Sequence, residues 1–99
     1  MTPGSIVIVN LRHPLERLMG RLIEINPSGV TIRGLDLGAF EDWMRDIAGG
    51  EERGIGPTSL FLPMHRIEKV MLDEDLGSVP SLANTFLRTV GVPIHDHLE

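Results

Sequence analysis

The sequence contains no cysteine and no tyrosine, and it has only one tryptophan and three phenylalanines in 99 residues. Without cysteine the chain has no disulfides, no thiolate nucleophile and no cysteine-ligated zinc site. With so few aromatic rings the core must be mainly aliphatic, and an aromatic cage for methylated lysine is not expected. No apolar run approaches the ~20 residues of a membrane span, and no signal-peptide pattern is present. We therefore expect a cytoplasmic protein with no membrane partner.

Motifs of catalysis and phosphate binding are also missing. The sequence has no Gly-x-Ser-x-Gly or His-Glu-x-x-His motif, and the glycine-rich stretch at 49–57, which predicts a mobile loop, lacks the Lys-Ser/Thr ending of a phosphate loop. Acidic side chains come in runs, such as 73–75, and a run of like charges stays solvated instead of shifting the pKa of one buried group. Two histidines, His95 and His97, lie on a segment predicted to be loose, which is unsuited to holding a metal. We expect no enzymatic activity, no metal and no cofactor.

The charge distribution limits the partners. The formal net charge of −5 is unfavourable for strong non-specific binding of nucleic acid. It is unevenly spread, because residues 1–35 have a balance of +2 and residues 36–99 a balance of −7. The simplest interpretation of this asymmetry is ordinary solvated surface.

The order of apolar patterns predicts one mostly-β domain with helical additions, β-β-β-α-β-β-α, over residues 1–92, followed by a flexible tail at 93–99. Strands are predicted at 5–11, 17–25, 30–33, 58–62 and 67–72, with a turn from Asn26 to Gly29 and a tight turn at 64–66. Gly20, in the middle of the second strand, predicts a bend or a bulge of the kind that a tightly curved barrel strand needs.

Two helices are predicted within this order. A helix at about 39–48 follows from apolar residues that recur at i, i+3, i+4 and i+7, namely Phe40, Trp43, Met44 and Ile47. Their stripe either packs on the barrel or stays exposed and docks a protein partner or a second copy. A C-terminal helix is predicted at about 80–90, with Gly91 just beyond its end.

Two blocks of residues resemble a known family. The first is Gly20-x-Leu22-x-x-x-Asn26-x-x-Gly29-Val30-x-Ile32, where a strand, a turn and the next strand follow one another. The second, residues 60–70, is a short strand, one tight helical turn and another strand. Both are similar to motifs of the Sm-like family, which includes the Sm and Lsm proteins and the bacterial RNA chaperone Hfq. The resemblance implies a small five-stranded open barrel.

The resemblance also implies where RNA would bind. In Sm-like proteins RNA contacts the turn between strands two and three and the turn between strands four and five, which here implicates Asn26, His65 and Arg66. The residues themselves suggest a further basic strip. Arg17 and Arg21 share one face of a strand, about 13 Å apart at ~3.3 Å per residue, and Arg33 lies on the next strand. Arginine side chains suit phosphate, although these three could equally pair with acidic side chains.

Two hypotheses follow. In the first, an Sm-like barrel self-assembles into a homo-oligomer by pairing of edge strands, and it binds RNA. In the second, the chain is a protein-interaction or scaffold module that does not bind nucleic acid and docks a protein partner through a helix.

Overall fold

The computed structural model describes residues 1–51 and 54–99. The two helices are α1 (Phe40–Gly49) and α2 (Leu82–Val90), and short 3-10 helices lie at Leu37–Ala39, Met64–Arg66 and Ile94–His97. The five strands are β1 (Ile6–Leu11), β2 (Glu16–Asn26), β3 (Gly29–Asp36), β4 (Thr58–Pro63) and β5 (Ile67–Leu72). The predicted mostly-β fold with two helical additions is confirmed. The prediction of a mobile loop at 49–57 includes residues 52 and 53, which lie outside the described residues.

All five strands form one antiparallel sheet in the order β4-β3-β2-β1-β5. Its two outermost strands, β4 and β5, are consecutive in the chain and are separated only by the 3-10 helix Met64–Arg66. The sheet must therefore curl until its two edges lie within one helical turn of each other. It does not close into a barrel, because among the described strands β4 pairs only with β3 and β5 only with β1. A specifically Sm-like barrel stays a prediction.

The backbones of β2 and β3 lie very close together where two glycines face each other. Gly20 of β2 is paired with Gly34 of β3. A Cβ atom on Gly20 would lie 2.5 Å from the carbonyl oxygen of Arg33 and 2.7 Å from the Cα atom of Gly34. The strand register then shifts between Leu22 and Glu24. The backbones of β2 and β3 thus approach each other at Gly20, and the irregularity itself lies two residues further along.

Two apolar cores lie on opposite faces of the sheet. We call the face enclosed by the curl the inner face. Its inner core contains strand residues only: Val7, Val9, Leu11, Leu18, Leu22, Val30, Ile32 and Leu62. The outer core joins the opposite face of the sheet to the helices and the C-terminal segment, and its buried members are Ile6, Met19, Leu35, Phe40, Trp43, Met44, Phe86, Ile94 and Leu98.

The acidic segment 73–75 caps α2. The Ser81 hydroxyl accepts a hydrogen bond from the Asn84 amide at 3.1 Å, as an N-cap residue does. The Asp73 carboxylate accepts from the amides of Leu82 and Ala83, at 2.8 and 3.0 Å. The Asp75 carboxylate accepts from the Ser81 amide at 2.7 Å. Glu74 and Asp75 are exposed, as expected for an acidic run, and in addition the carboxylates of Asp73 and Asp75 satisfy donors at a helix N-terminus.

The segment predicted to be a flexible tail is packed against the domain. Its 3-10 helix places Ile94 and Leu98, 2% and 0% exposed, in the outer core. The His97 ring lies 5.7 Å from the ring of Phe86, and His95 Nε2 is 2.7 Å from the carbonyl oxygen of Gly4. The prediction of a loose tail is therefore wrong, because two apolar side chains four residues apart fill a gap between the helices and the sheet.

Candidate functional site

Three turns meet around the 3-10 helix Met64–Arg66. The Met64 amide donates to the carbonyl oxygen of Ser28 at 3.0 Å, which joins this helix to the β2–β3 turn. The Arg12 amide donates to the carbonyl oxygen of Arg66 at 2.9 Å, which joins it to the β1–β2 turn. We call residues 12–15, 26–28 and 64–66 the turn cluster. It brings the two turns implicated in RNA binding onto one surface.

The two predicted ligand residues Asn26 and His65 have different surroundings in this cluster. The side-chain oxygen of Asn26 accepts from the Ser28 amide at 2.9 Å, so this residue shapes the β2–β3 turn. His65 lies on the 3-10 helix with an exposed side chain. A ligand at the turn cluster would therefore meet His65 directly, while Asn26 mainly positions the backbone beside it.

The Arg66 side chain is hydrogen-bonded to the backbone of the β1–β2 turn. Its Nη2 atom donates to the carbonyl oxygen of Pro14 at 3.0 Å, and its Nε atom donates to that of Arg12 at 3.4 Å. The guanidinium also lies 3.6 Å from the carboxylate of Glu16, which offsets part of its charge. Arg66 therefore has a structural role at this turn, and its RNA-binding role stays a prediction.

Arg12 is the cationic residue of the cluster that sequence reasoning missed. Its side chain is exposed, next to the exposed His13. In a flat sheet the β1–β2 turn would lie at the opposite end of β2 from the β2–β3 turn, so no sequence pattern grouped Arg12 with Asn26. The one available signal was the three-residue connection between β4 and β5, which requires the curl.

The predicted arginine strip is divided. Arg21 and Arg33 are directly opposite each other on β2 and β3, as expected, but the C-terminal segment lies over them. Arg21 Nε donates to the carbonyl oxygen of Leu98 at 2.8 Å, and Arg33 Nε donates to that of Glu99 at 3.2 Å. Arg17 is exposed and its Nε atom donates to Asn10 Oδ1 at 3.3 Å. Two of the three guanidinium groups therefore hold the tail in this structure.

The apolar stripe of α1 packs inside the protein. Phe40, Trp43 and Met44 are 4%, 3% and 5% exposed, and the Trp43 ring lies 5.2 Å from the ring of Phe86. Ile47 is partly buried against the same outer core. Of the two alternatives for this stripe, packing on the sheet is the one that the structure has. The stripe offers no exposed apolar face for docking a partner.

The two sheet edges are the other functional feature. The outer backbone edges of β4 and β5 have no strand partner within the described part of the chain. The six residues of β4 carry no charged side chain, and Phe61 is 56% exposed. Natural edge strands are usually protected from pairing by charges, prolines, bulges or cover. The proline of β4, Pro63, is its last residue, so residues 58–62 keep backbone amides that could pair with a further strand.

Comparisons with protein-family models, with curated proteins and with solved structures find no match to this chain. No helix within residues 1–51 and 54–99 is long and apolar enough to cross a membrane. Among the same residues, no three His, Asp or Glu side chains are grouped so that they could hold a metal ion. The fold defines the class of this protein as a small five-stranded antiparallel β-domain with two helices.

Proposed function

We propose that this protein is a non-catalytic, cytoplasmic module that self-assembles through its sheet edges and binds single-stranded RNA at the turn cluster. The observation that carries this proposal is the curl of the sheet. It leaves β4 and β5 as open edges and places the turn cluster between them. Each contact between subunits would then bring two turn clusters near each other.

The open edges support assembly from identical copies. When β4 of one copy pairs with β5 of the next, the contact is heterologous, and a heterologous contact forms a ring if its rotation closes. Main-chain hydrogen bonds supply the attraction, as in other cases of strand addition. The resemblance of residues 20–32 and 60–70 to Sm-like motifs favours the same assembly.

The charges at the turn cluster support RNA as the ligand. Arg12 and His65 are exposed there, and Arg66 is offset only in part by Glu16. The acidic side chains of α1 and of the 73–75 segment belong to the helical layer on the outer face instead. A ring would present one cationic cluster per subunit, and several weak contacts on one strand add up to a useful affinity.

The first experiment is light scattering coupled to size exclusion at low and at high salt, with the 260/280 nm absorbance ratio recorded. We expect a discrete oligomer, with co-purifying nucleic acid that high salt removes, because phosphate contacts release counterions. A monomer at every concentration would contradict the assembly. An oligomer that neither co-purifies with RNA nor binds it would contradict the proposal that RNA is the ligand.

The ligand site is tested with a labelled single-stranded RNA of mixed sequence and fluorescence anisotropy. The double substitution Arg12→Ala with His65→Ala should weaken binding about tenfold at low salt and reduce the salt slope by about one unit. Arg45→Ala is the matched control, because Arg45 is exposed on α1 and pairs with Glu41 at 3.7 Å. Equal weakening by both variants would place the RNA elsewhere.

A protein-interaction or scaffold role without nucleic acid is the second candidate. The open edge of β5 favours it, since an exposed edge accepts any extended segment with suitable side chains. Salt separates the two functions: RNA binding should fall steeply as salt rises, whereas docking of an apolar segment should change little.

A further inference from the structure

Phe61 is the one aromatic side chain that the fold leaves outside its cores. It is 56% exposed, whereas Phe40, Trp43 and Phe86 are 4%, 3% and 0% exposed. Its ring rests against Gly29, where an added Cβ atom would come within 2.8 Å of the ring. The absence of a side chain at Gly29 thus leaves room for the ring on the outer face of β4, at the sheet edge.

An apolar groove lies beside the other edge. It has a volume of about 480 Å³. Its apolar lining comes from Ile8, Met71, Leu72 and Leu76, and the charged residues Arg17, Asp73 and Glu74 complete its rim. Ile8 and Met71 are directly opposite each other on β1 and β5, and Ile8 packs against the outer core, so the groove opens on the outer face. Leu76 is 68% exposed, so the groove is open to a further apolar group.

The ring and the groove lie on the same face of the sheet. Phe61 lies between Leu60 and Leu62, which pack in the inner core, so its side chain points to the outer face. A strand added to a sheet keeps its faces, and side chains directly opposite each other have Cβ atoms about 4.5–5.5 Å apart. In the register that places Phe61 opposite Met71, a β4 strand paired with the edge of β5 thus brings its outer-face ring next to the outer-face side chain of Met71.

From this match we propose that Phe61 of one copy inserts into the β5 groove of the next copy and anchors their contact. This inference rests on the proposed self-assembly and names the side chain on which it depends. Six paired residues per strand span about 20 Å, far fewer than the roughly 20–30 residues per side of a standard interface. An aromatic anchor in a pocket compensates, because a few such residues carry most of the energy of an interface.

A second copy of this chain would cover the exposed apolar side chains of β4 and β5 on both faces of the sheet. On the inner face Leu60 of β4 and Ile67 and Val70 of β5 are only partly buried against the inner core. Pairing of β4 with β5 of another copy covers these side chains and seats Phe61 at the same time. The uncharged sequence of β4 adds no repulsion against the exposed Glu68 and Lys69 of β5.

The decisive variant is Phe61→Ala, studied by light scattering over a series of protein concentrations. We expect the midpoint concentration of assembly to rise at least about tenfold, as for an interface hot spot. Leu87→Ala is the matched control, because Leu87 is 45% exposed on α2 and does not line the β5 groove, so it should leave the midpoint unchanged. Urea denaturation of dilute samples verifies that both variants are folded.

Mixing two charged variants tests the pairing directly. Phe61→Asp removes the anchor and Leu76→Arg blocks the groove, so each variant alone should stay monomeric. Their mixture retains one intact anchor and one intact groove and should form a heterodimer. A mixture that stays monomeric would overturn the insertion.

Three results separate this inference from the proposal on which it depends. A wild-type oligomer that is indifferent to Phe61→Ala overturns the anchor and leaves self-assembly standing. A monomeric wild-type protein overturns both. Unchanged mass with weaker RNA binding in Phe61→Ala would assign the ring to the RNA and overturn the anchor.

Discussion

The inner and the outer core differ in composition and in what closes them. The inner core contains no aromatic residue and is enclosed by strands alone. The outer core holds all three buried aromatic rings, and it is closed by α1, α2 and the C-terminal segment. One core thus depends on backbone curvature, and the other depends on docking of the helices and the C-terminal segment. Substitutions that affect one core at a time can measure this difference.

The largest expected effect is in the outer core, at Phe86. This side chain is fully buried, and its ring lies 5.2 Å from that of Trp43 and 5.7 Å from that of His97. Phe86→Ala should lower the free energy of unfolding by about 3–5 kcal/mol, because it leaves a cavity where α2 and the tail meet. Urea denaturation followed by Trp43 fluorescence measures this. Leu87→Ala, at the next position, should cost less than about 1 kcal/mol; an equal loss would mean that α2 is not docked as described.

The inner core is tested with two leucines of different burial. Leu22 is fully buried, so Leu22→Ala should lower the free energy of unfolding by about 2–5 kcal/mol. Leu60 is only partly buried at the open edge, so Leu60→Ala should cost about half as much. Both values come from urea denaturation at concentrations where the chain is monomeric. Equal costs would indicate that the edge of β4 is covered in the single chain.

The curvature itself is tested at Gly20. Gly20→Ala puts a Cβ atom against the backbone of β3, where no flexible side chain can move aside, and should destabilise the protein by about 1–3 kcal/mol. Gly49→Ala is the control, since nothing lies within 4 Å of a Cβ atom there and alanine favours a helix. The thermal midpoint of unfolding should fall for the first variant and hold or rise for the second. The reverse order would show that β2 and β3 are not in close contact.

The smallest expected effect is the dependence of stability on pH at the entrance to α2. Hydrogen bonds from the Ser81 amide and then from the Asn84 side chain hold the pKa of Asp75 below its usual value of 3.8. The ionised carboxylate therefore stabilises the folded state above about pH 4, and this contribution is lost as the pH falls from 3.8 through the folded-state pKa. Asp75→Asn should flatten the acid side of a plot of unfolding free energy against pH. Glu74→Gln, at an exposed neighbour, should leave it as in the wild type.

Much of the fold could be predicted from local patterns. Alternation of apolar residues indicated the strands, and the 3.6-residue spacing of Phe40, Trp43 and Met44 indicated α1. The turn at Asn26 and the 3-10 turn at 64–66 were expected from their residue types. These features depend on neighbours within a few positions, so a single sequence contains them. Whether the α1 stripe was core or docking surface depended on α2, and that was left open.

The candidate site could be predicted only in part. Asn26 and His65 were grouped by the resemblance, and the pairing of Arg21 with Arg33 followed from the hairpin. The occupation of both arginines by the carbonyl oxygens of Leu98 and Glu99 was not predictable, because 66 or more residues separate the partners. Nothing near Ile94 or Leu98 indicated that the tail would be buried.

The sequence by itself determined the order of strands and helices, the lack of thiol chemistry and the aliphatic nature of the inner core, since these follow from composition and short-range periodicity. Only the tertiary structure decided that Arg12 lies beside His65, that the tail covers Arg21, and that Phe61 stays exposed. Each of these depends on how far the sheet curls and where the chain's last segment docks. Both are set by packing between residues distant in sequence, for which no local pattern exists.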